Sequence, residues 1–402
     1  MKILNIFCDM LRPDTLSLFN DNLVKKDSLD LELEKLGGTI YKNVFAVNPD
    51  TGRGIAGFFT GRFAKAHECM VMAQYPENFL NMKLYNLNNL FEEKKIKNYF
   101  LCKEDYYKLG YIPKDTKGLV KIRENKRNDY KEKIKKIAEE IKEEKDAFIF
   151  FTFSDFHDVM TLENYTMKKI KQGKEQLNKI IKYVFEVFDK DDFDYIFIFS
   201  DHGCCYDEEI KEQLYLVSDN RTRITLQVRK KYENTLKENL ELRSLLDLFP
   251  TWCSLYNKDI KCDGISLFEK NSLNRKIVIE SSSKFATDIW AISDLWSIVT
   301  KEEIIMLNKK DKLTLKNRIG EKEILFSSSL TDREIYEVLE KETIFFKDVD
   351  IEIKKDIKKP FKRLIFSDGT LLKKENQSYI YVFLRYLIAK TLFYETIKKM
   401  IR

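Results

Sequence analysis

Runs of apolar residues and charge-laced amphipathic stretches alternate along the first two thirds of this chain. Residues 2–8 form a short apolar run that ends at Asp9, which predicts a buried strand delivering an acidic side chain at its carboxyl end. Residues 31–36 have helical period and stop at Gly37-Gly38. Residues 39–47 predict a second strand. Asn-Pro-Asp-Thr-Gly-Arg-Gly at 48–54 then leads into a helix, with Thr51 placed as its N-cap. Further strands are predicted at 97–102, 147–153 and 194–199, and helices at 125–144 and 162–188. AFIFFTF and YIFIF are near-continuous apolar runs, the pattern of strands covered on both faces. The prediction is an α/β fold with a mostly parallel central sheet flanked by helices.

After about residue 265 the texture changes. Short strands are predicted at 276–281, 288–292, 303–307 and 312–316, with few long helices between them. This predicts a catalytic domain over 1–265 and a smaller C-terminal antiparallel α+β region over 266–402. The last stretch, 379–402, reads as a basic amphipathic helix, with Val382, Leu384, Leu387, Ile388, Leu392 and Phe393 on one face. Such a helix can lie on an anionic membrane surface, although packing on the core is the commoner fate.

Ligands of parallel sheets gather outside the carboxyl ends of the strands. Asp9, the 48–54 turn, Lys103, His157 and Asp201-His202 each follow a predicted strand, so they belong on one edge. Asp201 and His202, with Gly203 allowing a tight turn, can ligate a divalent cation, and Asp9 can add a second carboxylate. A threonine hydroxyl at a helix start, next to such a cation, becomes a competent nucleophile. Arg53 and Lys103 suit the oxygens of a phosphoryl group, and His157 suits a leaving oxygen.

Composition narrows this picture. Three histidines in 402 residues, His67, His157 and His202, exclude a His-rich metal cage. The net charge of +6, set against 34% charged residues, does not argue for nucleic acid. Seven cysteines without a C-x-x-C exclude a zinc ribbon and a small disulfide framework. No run of 18 apolar residues and no secretory signal are evident, so the expectation is a cytoplasmic protein, in contact at most with the inner membrane face.

Six segments, in order, resemble the alkaline phosphatase / sulfatase superfamily. ILNIFCDMLRPDTL is similar to the sulfatase opening strand followed by Asp-Asp-Leu-Arg-Pro-Asp. TGRGIAGFFTGR is similar to the nucleophile helix ending in Leu-Thr-Gly-Arg, which puts Thr51 at the nucleophile. NYFLCKEDYYKLG resembles the Gly-Lys-Trp-His-Leu-Gly segment, with Lys103 at its lysine. IFIFSDHG is close to the metal-binding Ser-Asp-His-Gly. SDNRTRITLQV resembles Tyr-Glu-Glu-Ala-Thr-Arg-Val-Pro-Leu, and SLLDLFPTWCSLYNKDIKCDGISL the Asp-Leu-x-Pro-Thr helix with its Gly-x-Ser-Leu ending. The likeness covers about residues 1–270.

The departures matter as much as the matches. Sulfatases make a formylglycine from Cys or Ser in a Cys/Ser-x-Pro-x-Arg context, and Thr51-Gly-Arg-Gly-Ile cannot yield that aldehyde. The second opening aspartate is Met10 here, and the motif histidine is Asp105. The remaining set, Asp9, Thr51, Asp201 and His202, resembles the one-metal phosphotransferase branch that includes lipoteichoic acid synthases and phosphoethanolamine transferases. The resemblance implies one divalent ion (Mn, Zn, Mg or Ca), held by these four residues. It implies a phosphotransferase or phosphodiesterase acting through a phospho-Thr51 intermediate, with Lys103, Arg53 and His157 around the transferred group. The partners it implies are a phosphate-ester donor and a hydroxyl acceptor, nucleotide- or lipid-linked, from capsule or lipopolysaccharide precursor chemistry. Two alternatives stand beside this reading. One is a sulfatase-like hydrolase with a two-metal site, the other a catalytically silent relative that binds a glycan or a protein.

Overall fold

The computed structural model describes residues 1–19, 24–69, 83–104, 106, 116–122, 127–160, 167–203, 217, 219–272, 274–281, 295–307, 312–316, 323–325, 329–343, 364–365 and 372–373. The strands of the first part are β1 (Lys2–Cys8), β2 (Gly38–Tyr41), β3 (Val44–Phe45), β4 (Lys97–Lys103), β5 (Leu119–Ile122), β6 (Ala147–Phe153), β7 (Tyr195–Phe199), β8 (Leu226–Lys230), β9 (Leu236–Asn239) and β10 (Arg243–Ser244). Eight of them form one sheet in the order β5-β4-β6-β1-β7-β8-β2-β9. β4, β5, β6, β1 and β7 run parallel, and β8 is antiparallel to both of its neighbours. The fold is therefore α/β with a mostly parallel central sheet, as the apolar runs predict.

The two faces of the sheet explain those runs. Even-numbered β1 residues Leu4, Ile6 and Cys8 pack into one core cluster and odd-numbered Ile3 and Phe7 into another. In β6, Ala147, Ile149, Phe151 and Phe153 join the first and Phe148 and Phe150 the second. Because side chains alternate across a strand, a strand buried on both faces reads as a near-continuous apolar run, and the polar exceptions here, Asn5 and Thr152, are buried and bonded to the neighbouring strands' Ile149 O and Leu101 O. The first cluster is completed by apolar residues of helices Ser28–Leu36, Arg127–Glu140, Asp155–Met160 and Met167–Val187. The second is completed by helices Thr51–Thr60, Leu87–Lys94 and Leu248–Leu255. Trp252 sits at its centre, with Phe58, Phe148, Phe150, Phe197 and Phe199 rings 5.4–6.4 Å away.

The structure departs from the sequence expectations at two points. The strand expected over 39–47 is two strands, β2 and β3. Between them Lys42 N–H bonds to Asn239 O (2.9 Å) and Asn43 O accepts from Arg243 N–H (2.8 Å), so the chain leaves the large sheet and β3 pairs with β10. The helix after Gly-Arg-Gly is capped by Asp50, not Thr51: Asp50 has extended backbone and its carboxylate accepts from Arg53 N–H at 3.0 Å. Of the C-terminal strands, 288–292 lies outside the described residues.

The C-terminal region holds a five-stranded antiparallel sheet, β11 (Ile277–Ser281), β12 (Leu295–Val299), β13 (Glu303–Leu307), β14 (Lys312–Lys316) and β15 (Glu323–Leu325), in sequential order. One face packs Ile277, Ile279, Leu295, Val299, Ile304 and Met306 onto Phe45, Val47, Leu242 and Leu246. The other is covered by Ile335 and Leu339 of helix Asp332–Glu342. This second sheet braces the turn that leads to Thr51. Asn48 Nδ2 donates to Glu280 O (2.8 Å), and Glu280 N–H donates to Val47 O (2.9 Å). The basic helix expected over 379–402 lies outside the described residues. Among the described residues, no helix is long and apolar enough to cross a membrane.

Candidate metal centre

Three strand ends of the large sheet converge on one buried cluster. Asp9 follows β1, and its N–H is fixed to Phe153 O at the end of β6 (3.0 Å). Asp201 and His202 follow β7, the neighbour of β1. The two turns are tied together at Leu11 O, which accepts from both Ser200 Oγ (2.8 Å) and Thr225 Oγ1 (3.0 Å). Ligand atoms of Asp9, Asp201 and His202 all lie within 4.8 Å of one another, and all three residues are buried.

Thr51 stands over this cluster from the first turn of helix Thr51–Thr60. Its Oγ1 is 3.4 Å from Asp9 Oδ1 and 3.3 Å from His202 Nε2. The helix comes this close because residue 54 is glycine. A Cβ there would lie 3.2 Å from Asp201 Cβ, tighter than most real contacts. At the other end Gly61 takes φ +64°, the left-handed conformation that terminates the helix.

The donor set fits a divalent cation. Asp201 Oδ1 is taken by the N–H groups of His202 (2.8 Å) and Met10 (3.3 Å), but Asp201 Oδ2 is buried without a hydrogen-bond partner, 3.4 Å from His202 Nε2. A buried carboxylate oxygen left bare is costly unless a cation meets it. His202 Nδ1 lies 2.8 Å from Gly203 O; with the proton on Nδ1, this bond leaves Nε2 as a lone-pair donor. Asp9 Oδ2 is bound by the Tyr106 hydroxyl, leaving Oδ1 on the Thr51 side. The site thus offers two carboxylate oxygens, one imidazole nitrogen and one hydroxyl, a mixed N/O set suited to a divalent ion.

The charge states follow from burial. Burial raises Asp201 to about 6 and also raises Asp9, whose neighbour Asp201 adds to the effect. Burial, helped by the Arg221 guanidinium, holds His202 down at about 3, so this imidazole is neutral at ordinary pH. His157 behaves oppositely. Burial alone would lower it, but Asp9, Asp158 and Asp201 together hold it above its usual value.

The other residues expected at the site fall as follows. His157 lies in helix Asp155–Met160 within the field of Asp9, its Nδ1 3.6 Å from Asp158 Oδ1, with its side chain 32% exposed. Lys103, at the end of β4, pairs with the other oxygen of Asp158, so lysine, aspartate and histidine form a chain. Arg53 points elsewhere than expected. Its guanidinium is buried against the capping Asp50 (Nε to Oδ2 2.6 Å), so the residue meant to grip phosphoryl oxygens instead secures the helix start. His67 is buried beside that pair, and its Nδ1 accepts from Cys69 N–H (3.1 Å).

Sequence reasoning missed Tyr106, Asp158, Asp50 and the Met10 backbone. Asp50 carries a readable signal, an aspartate three residues before Arg53 at a helix start. Met10 adopts φ +64° while its side chain joins the core, so the position that resembles the second aspartate of the sulfatase opening contributes an N–H to Asp201 instead of a carboxylate. Asp105 lies outside the described residues.

No protein-family model matches this chain, and no curated protein does. Solved structures do. A protein of the alkaline phosphatase superfamily from Vibrio parahaemolyticus aligns over 86% of each chain at 15% identity, TM-score 0.57. A 2-O GAG sulfatase aligns over 88% of this chain and 95% of its own at 12% identity, TM-score 0.61. A phosphonate monoester hydrolase from Silicibacter pomeroyi aligns over 94% and 100% at 12% identity, TM-score 0.57. The fold of this chain is that of the alkaline phosphatase superfamily.

Proposed function

We propose that this chain is a metal-dependent enzyme that acts on phosphate esters through a covalent phospho-Thr51 intermediate. The observation that carries this reading is the Thr51 hydroxyl set between Asp9 and His202, beside a carboxylate oxygen that has no other partner. Neighbours that are sulfatases and phosphonate monoester hydrolases support an enzyme working on tetrahedral oxyanion esters. Asp9, Asp201, His202 and Thr51 would hold one divalent ion, which when bound would supply charge stabilisation to the phosphoryl oxygens and acidify the hydroxyl.

The chain's own residues and solvent then account for the proton and bond changes. Thr51 Oγ attacks phosphorus in line; its bond to phosphorus forms as the bond to the leaving oxygen breaks. Asp9 Oδ1 and Asp201 Oδ2 are the oxygens that would meet the ion, so the acidified hydroxyl gives its proton to solvent before attack. His157, whose hold on a proton is strengthened by the surrounding carboxylates, gives a proton to the leaving oxygen. Lys103 holds Asp158 and Asp158 faces His157, so Lys103 acts through the histidine. In the second half an acceptor hydroxyl or water attacks phosphorus and returns a proton to His157, while the bond from phosphorus to Thr51 Oγ breaks and Thr51 regains a proton from solvent. The acceptor we favour is a hydroxyl of a glycan precursor, with a nucleotide- or lipid-linked phosphate-ester donor.

The substrate class is tested by ranking two chromogenic esters with Mn²⁺ added. An aryl phosphodiester should turn over and the matching aryl sulfate should not, because threonine cannot form the aldehyde nucleophile that sulfatases use. A preference for the sulfate would overturn the reading.

A further inference from the structure

Arg221 makes two hydrogen bonds that join separate parts of the metal centre. Its Nη1 donates to Gly203 O (2.7 Å), in the turn that carries Asp201 and His202. Its Nη2 donates to Pro49 O (2.9 Å), two residues before Thr51. The buried Nε makes none, so the side chain's bonds go to these two carbonyls. The backbone closes the same clamp from the other side, with Gly203 N–H donating to Arg221 O at 2.7 Å. Gly203 O is also the partner of His202 Nδ1 (2.8 Å), so the carbonyl that orients the imidazole is the one Arg221 grips.

We propose that Arg221 is a positioning residue, a strap that sets the distance between the Thr51 hydroxyl and His202 and aims the imidazole at the metal. The inference rests on the metal-centre reading above. A planar guanidinium presents donors on two separate nitrogens in fixed directions, so it can bridge carbonyls of two segments; a lysine ammonium carries its donors on one atom at the end of a flexible stem and does not fix that geometry. The strap belongs to this chain. In the segment SDNRTRITLQV, Thr222-Arg223 falls on the superfamily's Thr-Arg, which puts Arg221 at that pattern's alanine.

The test is Mn²⁺ affinity by calorimetry on the full chain and on Arg221→Lys and Arg221→Gln, with far-UV circular dichroism to establish folding. Partners that orient metal ligands typically contribute about 10–100-fold in affinity, and both folded variants should lose an amount in that range. A merely structural role would lower the melting temperature and leave the affinity of the folded variants unchanged. Wild-type binding with unchanged affinity in either folded variant would overturn the strap while sparing the metal centre. A wild-type chain that takes up no Mn²⁺ would overturn both. Unfolding of both variants would assign Arg221 to the fold and overturn the proposal.

Discussion

Thr51→Ala should lower turnover of an aryl phosphodiester by about 10³-fold or more, the scale seen when an enzyme loses its nucleophile. The fold should survive. Thr51 is one side chain at the first helical position, and helix Thr51–Thr60 is capped by Asp50 and anchored by Ile55, Phe58 and Phe59 in the core. Losing the hydroxyl removes hydrogen bonding worth about 1 kcal/mol in stability, far less than the barrier it lowers. Thr51→Ser keeps the oxygen and drops only a methyl group, so it should retain turnover within about 10-fold of the parent. Steady-state kinetics beside thermal melts separate the two effects. A Thr51→Ala chain with a tenth of the parent turnover or more would remove Thr51 from the chemistry.

The second large effect is on stability. Mn²⁺ at about 100 times its dissociation constant should stabilise the wild-type chain by about 2.7 kcal/mol, because it binds only the folded arrangement of Asp9, Asp201 and His202. For a chain of this length that is a rise in melting temperature of about 3 °C. Asp201→Asn keeps the size of the side chain but removes the bare, charged oxygen, and its melting temperature should not respond to Mn²⁺. The response also depends on pH with a definite sign. Burial raises Asp9 and holds Asp201 at about 6, so ion uptake must displace protons at low pH. The Mn²⁺ shift should therefore be smaller at pH 5 than at pH 8 and should grow as pH rises through about 6, where Asp201 titrates. His202 stays neutral through this range and does not limit it. Melts at a series of pH values check both parts; equal shifts in Asp201→Asn and wild type would place the ion elsewhere.

The sheet was legible because its strands are buried on both faces. AFIFFTF has a single polar position, Thr152, whose hydroxyl is satisfied by Leu101 O (3.2 Å), and in the structure its alternate apolar residues feed two separate cores. The strand ends bearing Asp9 and Asp201-His202 were legible for the same reason, since β1 and β7 are adjacent and parallel and must deliver their next residues to one edge. What a linear pattern does not carry is which polar group meets which. Arg53 and Lys103 have the charge for a phosphoryl group, but each has a carboxylate close by in space, Asp50 and Asp158, that claims it. Tyr106 looks in sequence like any core tyrosine, and only the packing of β4 against β6 brings its hydroxyl to Asp9. Arg221 is equally silent, because its two partners are backbone carbonyls at positions 49 and 203.

The covalent step is the centre of this account, and it can be caught directly. The chain would be mixed with Mn²⁺ and an excess of aryl phosphodiester, quenched in acid within one turnover, digested and read by tandem mass spectrometry. The account predicts a single phosphoryl adduct, on Thr51, that is absent without metal and absent from Thr51→Ala. Turnover with no adduct on Thr51, or with the adduct on another residue, would contradict it.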